Sequence, residues 1–137
     1  MFASLGDHGL AFDDDLYLLG TVEDDELPEW FQAADAFVFP SMKEGWGLVV
    51  LEAMGAGLPV LTSDIDVFHE FLEHDVNALM TTAGDAESIA AGMSRLQQEP
   101  GLVQRLAAAG PAVASRYSWA ASAERHLALY KEGARAS

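Results

Sequence analysis

The stretch that decides the fold of this 137-residue chain is Glu44-Gly-Trp-Gly-Leu-Val-Val-Leu-Glu52-Ala-Met-Gly-Ala-Gly57. It follows an apolar run, Ala36-Phe-Val-Phe39, which Pro40 and Ser41 bring to an end. An apolar run, a glycine-rich turn and a second apolar stretch predict a strand, a turn and a helix. The first backbone N–H groups of such a helix are free to hold an anion.

Glu52 is the one charged residue between Gly47 and Gly57. The helix is apolar on every face, which predicts that it is buried in a core of sheet and helices. A buried carboxylate is costly unless it is paired or hydrogen-bonded. Leu48, Gly55 and Ala56 share its stripe, and the two small residues leave space beside it. The residues alone leave two alternatives open: Glu52 accepts hydrogen bonds from ligand hydroxyls, or it reaches solvent or pairs with a structural arginine.

The rest of the chain alternates short apolar runs with helical patterns. Strands are predicted at Leu16–Leu19, Ala36–Phe39, Pro59–Thr62 and Asn77–Met80. Helices are predicted from an Asp24 or Asp25 cap to Ala34, over Phe68–Glu73, over Ala86–Gln98 with Asp85 as N-cap, from Gly101 to a break at Gly110-Pro111, and from Ser118-Trp119 to Lys131. This alternation predicts one α/β domain, with a Rossmann-like parallel sheet flanked by helices. Trp119 is expected to be a packing residue, and Gly133–Ser137 to be frayed.

Composition narrows the function classes. Seven basic residues against 22 acidic ones give a net charge of −15, which argues against nucleic acid and anionic membranes as partners. No apolar run is long enough to span a membrane, and the start lacks the pattern of a signal peptide. With no cysteine, disulfides and thiolate metal sites are excluded, and a cytoplasmic location is expected. The four histidines show no zinc spacing and Asp13–Asp15 is expected to be solvated, so no metal is predicted.

Three segments carry a resemblance to a known family: Pro40-Ser41, Glu44–Leu48 and Leu51–Val60. They resemble the signature of the GT4 family, which comprises retaining, nucleotide-sugar-dependent glycosyltransferases of the two-domain GT-B type. Glu44 and Glu52 fit the Glu-x7-Glu motif of that family, and the likeness continues through nearly the whole chain. The resemblance implies that residues 1–137 are the C-terminal, nucleotide-sugar-binding domain of a GT-B fold, lacking its first strand or strands.

The resemblance also implies roles for individual residues. Glu44 would contact the transferred sugar and stabilise positive charge at its anomeric carbon, which makes it the catalytic candidate. Backbone N–H groups at the start of the helix would meet the sugar and phosphates, Glu52 would hold the ribose, and Val22 would lie near the base. The implied donor-binding residues are Val22, Glu44, Gly45, Trp46, Gly47, Leu48, Val49 and Glu52.

The chain departs from the family pattern at several places. Asp66-Val67 stands where many relatives carry Gly-Gly, Asn77-Ala78 replaces Asn-Gly, and Trp46 replaces the more usual Phe. An Arg and a Lys that hold the diphosphate in the family, and the N-terminal acceptor domain, are missing from these 137 residues. Lys43 is the one basic residue near the motif and is expected to be a solvated loop residue. The 137 residues alone are therefore expected to show negligible turnover.

Two other functions are compatible with the same residues. A shortened relative could keep the fold as a non-catalytic interaction module, which the missing clamp favours and the intact pair Glu44 and Glu52 disfavours. An isomerase of the same fold acting on a nucleotide-sugar is a weaker alternative, since the Glu-x7-Glu spacing belongs to transferases. A homodimer that covers the exposed edge of the sheet is a further expectation.

Overall fold

Three parallel strands carry the fold. The computed structural model describes Tyr17 and residues 19–135, and within them the strands form one sheet in the order β1-β2-β3. The strands are β1 Phe37–Phe39, β2 Val60–Asp64 and β3 Leu79–Thr82. The α-helices are α1 Leu27–Ala33, α2 Leu48–Gly55, α3 Ala86–Gln98, α4 Pro100–Ser115 and α5 Trp119–Arg135, and a 3-10 helix spans Asp66–Glu70. The predicted α/β class with a parallel sheet flanked by helices is confirmed.

The central strand, β2, is the best buried part of the sheet. Its first four residues are buried, which is the pattern of a parallel strand covered on both faces. Phe37 of β1 lies opposite Val60, and Leu61 lies opposite Leu79 of β3. By contrast, β1 is only half-buried along its length. The sheet is therefore anchored on β2, with β1 at its edge within the described residues.

The prediction of a buried strand at Leu16–Leu19 is wrong for the residues that the structure describes. Tyr17 and Leu19 are 78% and 51% exposed and lie in no strand; Leu16 and Leu18 fall outside the described residues, as do Asp13–Asp15. An apolar run becomes a strand only when a neighbouring strand and a covering layer take it up. The other three predicted strands are confirmed, with ends shifted by one to two residues.

Side-chain caps mark the first residues of α3 and α5 but not of α1. Asp85 caps α3 as predicted, since its Oδ1 accepts hydrogen bonds from the backbone N–H groups of Glu87 at 2.9 Å and Ser88 at 3.1 Å. Ser118 accepts from the N–H of Ala121 at 3.2 Å at the start of α5. The cap predicted for α1 is wrong: its N-cap is Glu26, which makes no side-chain capping bond. Pro28 does lie in the first turn, as predicted.

The predicted end of a helix at Gly110-Pro111 is also wrong, because α4 continues to Ser115. Its buried residues are Leu102, Leu106, Gly110 and Val113, a stripe that runs past the proline. Likewise α5 continues to Arg135, through part of the tail predicted to fray.

Aromatic residues join the layers on one side of the sheet. Phe68, Phe71 and Leu72 are buried, as predicted, and Phe68 contacts both Phe39 and Phe71 edge-to-face. These residues bring the 3-10 helix after β2 against the start of α2. Across residues 19–135, none of the helices combines the length and apolar composition that a membrane crossing requires.

Candidate functional site

The candidate site lies at the carboxyl ends of the three strands. Because the strands are parallel, the loops that follow Phe39, Asp64 and Thr82 emerge at one edge of the sheet. The loops after β1 and β3 are close together: a Cβ added to Gly84 would lie 3.2 Å from the sulfur of Met42. The Glu44–Gly47 turn is therefore placed where open α/β sheets bind their ligands.

The start of α2 offers backbone donors. Gly47 is its N-cap, in the left-handed conformation with φ of 83°, and no side chain caps the helix there. The N–H of Val50 donates to the carbonyl of Gly47 at 3.0 Å. The N–H groups of Leu48 and Val49 precede it at the start of the helix, where backbone donors have no intrahelical acceptor. This geometry suits an anionic group, as the sequence predicts.

Gly47 is also required by packing. A Cβ at this position would lie 2.5 Å from a ring carbon of Phe68, which is fully buried in the core. Real Cβ atoms essentially never approach a neighbour so closely. The backbone at the predicted phosphate site is thus held against the 3-10 helix that follows β2.

The three residues before Gly47 have different surroundings. Glu44 is half-buried and Gly45 is exposed. The ring of Trp46 packs against Phe71 and Tyr117, with both centroids 5.5 Å away, and those two rings also contact each other at 5.7 Å. The indole is therefore part of an aromatic cluster. Lys43 is exposed, as expected of a solvated loop residue, and its carbonyl accepts a hydrogen bond from the Ser41 hydroxyl at 3.2 Å.

The predicted burial of Glu52 is wrong, because its side chain is exposed. Val50, Leu51, Ala53 and Met54 bury one side of α2, and the remaining stripe of Leu48, Glu52, Gly55 and Ala56 faces outward. The sequence identified this stripe correctly but could not show that no element among the described residues covers it. Neither a hydrogen bond nor an ion pair to the Glu52 carboxylate occurs in the described part of the chain.

Glu52 lies between two cavities. The larger, of about 640 Å³, separates α2 from α1 and is lined by Asp24, Leu27, Pro28, Phe31, Gln32, Glu52 and Ala56. The smaller, of about 360 Å³, is lined by Leu48, Leu51, Glu52, Ala114, Tyr117, Ser118, Trp119 and Ser122. The space predicted beside Glu52 on the Ala56 side is therefore present. Val22 is half-buried and is not among the residues that line either cavity.

Several residues near the site were missed from the sequence. Asp24, Phe31 and Gln32 face Glu52 across the larger cavity, and only the packing of α1 beside α2 brings them there.

Trp119 was expected to pack in the core, but it is 91% exposed. It begins a helix with no buried residue among those described, so the core cannot take up its ring.

A second pair of polar side chains lies at the same edge of the sheet. His69 Nε2 is 2.6 Å from Asp64 Oδ1, and both side chains are about half exposed. Asp64 ends β2 and His69 is in the 3-10 helix that packs against Gly47. The five-residue spacing gave no hint of this contact, since it results from the tight turn after β2.

Comparisons with known proteins agree on one family. The family described as "Glycosyl transferases group 1" matches the chain over residues 8–113. The D-inositol 3-phosphate glycosyltransferase of Thermobispora bispora is 33% identical over 107 residues, which are 78% of this chain and 25% of that protein.

Two solved structures are similar in fold. Sucrose-phosphate synthase from Thermosynechococcus elongatus superposes with a TM-score of 0.82 at 26% identity, covering 97% of this chain and 33% of that one. Anabaena HepE in complex with UDP-glucose superposes with a TM-score of 0.70 at 25% identity, covering 79% and 30%. The chain thus spans about a quarter to a third of the length of these proteins.

Proposed function

The chain belongs to the glycosyl transferases group 1 family, and we therefore propose that residues 1–137 are the donor-binding domain of a retaining glycosyltransferase. The donor would be a nucleotide diphosphate sugar, whose sugar is transferred to an acceptor held by a further domain. HepE, a protein of similar fold, binds UDP-glucose, which supports a donor of this class. The cytoplasmic location stays a prediction.

The observation that carries the proposal is the setting of Glu52. Its carboxylate is exposed beside a cavity of about 640 Å³ and has no partner within the described residues. A carboxylate in this position accepts hydrogen bonds from vicinal hydroxyls, as acidic residues do for ribose in other open α/β sheets. The nucleoside would then lie between α2 and α1, in reach of Asp24, Phe31 and Gln32.

The diphosphate belongs at the start of α2. Glu52 lies one turn beyond the first N–H groups of the helix, so a nucleotide held by its ribose extends its phosphates toward Leu48 and Val49. These donors stabilise the negative charge that develops on the leaving phosphate. Gly45, Trp46 and Gly47 shape the turn that brings the backbone there.

Glu44 is the proposed catalytic residue. It is half-buried in the turn that precedes the phosphate site, where the transferred sugar would lie. Its carboxylate would contact sugar hydroxyls and stabilise positive charge at the anomeric carbon, so catalysis is mainly electrostatic. Val22 would lie near the base, outside the set of residues that line the cavity.

The charge of the chain shapes how the donor is held. With 22 acidic and seven basic residues, the overall field repels an anionic nucleotide. Binding therefore relies on local backbone donors and on cations from a part of the enzyme beyond these residues. Turnover by the 137 residues alone is expected to be negligible.

Calorimetric titration with UDP, GDP and ADP tests the proposal. We expect saturable binding of one of them and a loss of about 1–3 kcal/mol in the Glu52→Ala variant, as for a lost set of charged hydrogen bonds. Glu132→Ala is the matched control, because it removes the same charge from an exposed helical site on α5. This control should bind as the original chain does.

Two results would contradict the proposal. If Glu52→Ala and Glu132→Ala bind the nucleotide equally well, Glu52 does not hold the ribose. If none of the three nucleotides binds, the chain has no donor half-site of its own: either the cationic clamp lies beyond these residues or the fold serves as a non-catalytic module, and the transferase proposal then holds only for a longer chain.

A further inference from the structure

A cleft formed by Trp46 and the start of α5 has no role in the proposed function. It has a volume of about 280 Å³ and is lined by Trp46, Arg116, Tyr117, Ser122, Arg125 and His126. Two arginines and a histidine line one small space, although the chain has only seven lysines and arginines against 22 acids. The cleft thus concentrates cationic groups in a strongly acidic chain.

The Arg125 guanidinium is held in place by its neighbours. Its Nη2 donates to the carbonyl oxygen of Arg116 at 3.2 Å, and its central carbon lies 5.9 Å from the centroid of the Tyr117 ring. Tyr117 is itself fixed, since its hydroxyl donates to the carbonyl of Glu70 at 3.1 Å and its ring packs on Trp46. The guanidinium is thus positioned before any ligand arrives.

Neither Arg116 nor Arg125 is neutralised. In residues 19–135, no carboxylate lies within ion-pair distance of either guanidinium. Arg95 shows the contrast: it bonds Glu99 at 2.8 Å and Asp75 at 3.0 Å, and its guanidinium lowers the pKa of the Glu99 carboxyl through their hydrogen bonds.

One acidic residue adjacent along the chain and one adjacent through the fold do not change this. Glu124 precedes Arg125 on α5, and successive helical residues point about 100° apart. Glu70 contributes its backbone carbonyl, which Tyr117 already bonds. Two guanidinium groups without a carboxylate partner in the described part of the chain therefore line one cleft.

We infer that this cleft binds a phosphate monoester group through Arg116 and Arg125. Guanidinium forks match the geometry of phosphate oxygens and bind them bidentately. Its volume suits one such group rather than a whole nucleotide. The net charge of −15 disfavours a polyanion such as nucleic acid, so a small ligand is the match. The inference goes beyond the proposed function and does not depend on it.

The remaining polar group orients the wall of the cleft. His126 Nδ1 donates to the carbonyl of Ser122 at 2.8 Å, because a carbonyl oxygen can only accept. This bond fixes the imidazole along α5 and leaves Nε2 for other contacts. The ligand could be free inorganic phosphate or the phosphate group of a larger molecule, and the shared chemistry is the oxyanion.

The test is a titration of the chain with inorganic phosphate, glycerol 3-phosphate and acetate at constant ionic strength. Calorimetry gives the affinity. We expect saturable binding of phosphate, weakened about tenfold or more in Arg116→Gln and in Arg125→Gln, as for loss of a charged hydrogen-bond donor.

Arg135→Gln is the matched control, since it removes the same charge from the last turn of α5, outside the cleft. Its affinity should equal that of the original chain. Arg116→Gln keeps the test valid if Arg125→Gln lowers stability, because the Arg116 side chain makes no hydrogen bond within the described residues. Tighter binding of glycerol 3-phosphate identifies a group on a larger molecule, and tighter binding of inorganic phosphate identifies the free ion; either supports the site.

Three results would overturn the inference. The first is the absence of saturable binding of either phosphate probe. The second is an equal loss of affinity in Arg135→Gln, or binding of acetate as tight as that of phosphate, which would indicate general charge attraction. The third is competition between UDP and phosphate, which would assign the cleft to the donor site. UDP affinity that is unchanged in Arg116→Gln separates this test from that of the proposed function.

Discussion

At the residue scale, backbone conformation and packing independently require glycine at position 47. Its backbone has a positive φ of 83°, a conformation that costs a residue with a side chain about 1–2 kcal/mol. Its Cα also faces the Phe68 ring, which leaves no room for a Cβ. The turn that exposes the backbone donors of α2 is therefore locked to the core.

We predict that Gly47→Ala lowers the free energy of unfolding by roughly 2–4 kcal/mol, from backbone strain and overpacking together. Urea denaturation measures this. The matched control is Gly45→Ala, because a Cβ at Gly45 meets nothing within 4 Å and its φ is not positive. Its effect should stay within about 0.5 kcal/mol.

The steric part can be separated from the backbone part. Adding Phe68→Leu to Gly47→Ala removes the ring that the new Cβ would meet, so the double variant should lose less than the two single variants summed. Additive losses would contradict the packing explanation and leave the backbone strain alone.

At the residue scale, predictions from the sequence were correct where they depend only on helical spacing or on a local cap. The stripe that Glu52 shares with Leu48, Gly55 and Ala56 was identified from helical spacing, and Asp85 was identified as a cap. The burial of Glu52 and of Trp119 was wrong, because burial depends on which elements cover a face. Local spacing shows which residues share a face, but it does not show what lies opposite.

At the scale of elements, α4 shows tertiary packing overriding a helix-breaking pair. Proline inside a helix costs about 3 kcal/mol, and glycine weakens it further. The apolar stripe of Leu102, Leu106 and Val113 nevertheless continues across Gly110-Pro111 and is buried. Gly110 lets α4 approach α2 closely, since a Cβ there would lie 2.7 Å from the carbonyl oxygen of Met54. The spacing of these apolar residues is visible in the sequence. Their burial outweighs the helix-breaking effect of Gly110-Pro111.

Two glycines of α4 should respond in opposite directions to the same substitution. Gly110→Ala forces α4 away from the backbone of Met54, and we expect it to cost about 1–3 kcal/mol net of its gain in helix propensity. Gly101→Ala meets nothing within 4 Å and should stabilise by up to about 1 kcal/mol. Thermal and urea unfolding of the two variants measure the difference. If both variants were stabilised, close packing of α4 on α2 would be contradicted.

At the scale of the whole molecule, the dominant feature is the excess of acidic over basic residues. A net charge of −15 on 137 residues makes the folded state repel itself. The ion pairs that offset this, such as Arg95 with Asp75 and Glu99, lie at the surface and contribute little each. Composition alone established this imbalance, whereas the pairing of Arg95 across 20 residues required the fold.

We predict that NaCl stabilises the protein. Raising the concentration from about 10 mM to about 150 mM shortens the Debye length from about 30 Å to about 8 Å, which screens the repulsion among the acids. The thermal midpoint Tm should rise by a few degrees. Choline chloride should act alike, because screening depends on ionic strength and not on the cation. A fall in Tm would show that surface ion pairs outweigh the net repulsion.

Folding requires Gly47, whereas only ligand binding would require Glu52. The two residues are therefore expected to diverge differently as the family evolves. Gly47 is demanded by folding, so a descendant that had lost all catalysis would still be selected to retain it. Glu52 is exposed and unpaired within the described residues, so stability places no constraint on it. Across a lineage, drift at Glu52 would mark the loss of a nucleotide substrate, whereas an intact glycine turn would record only a surviving fold.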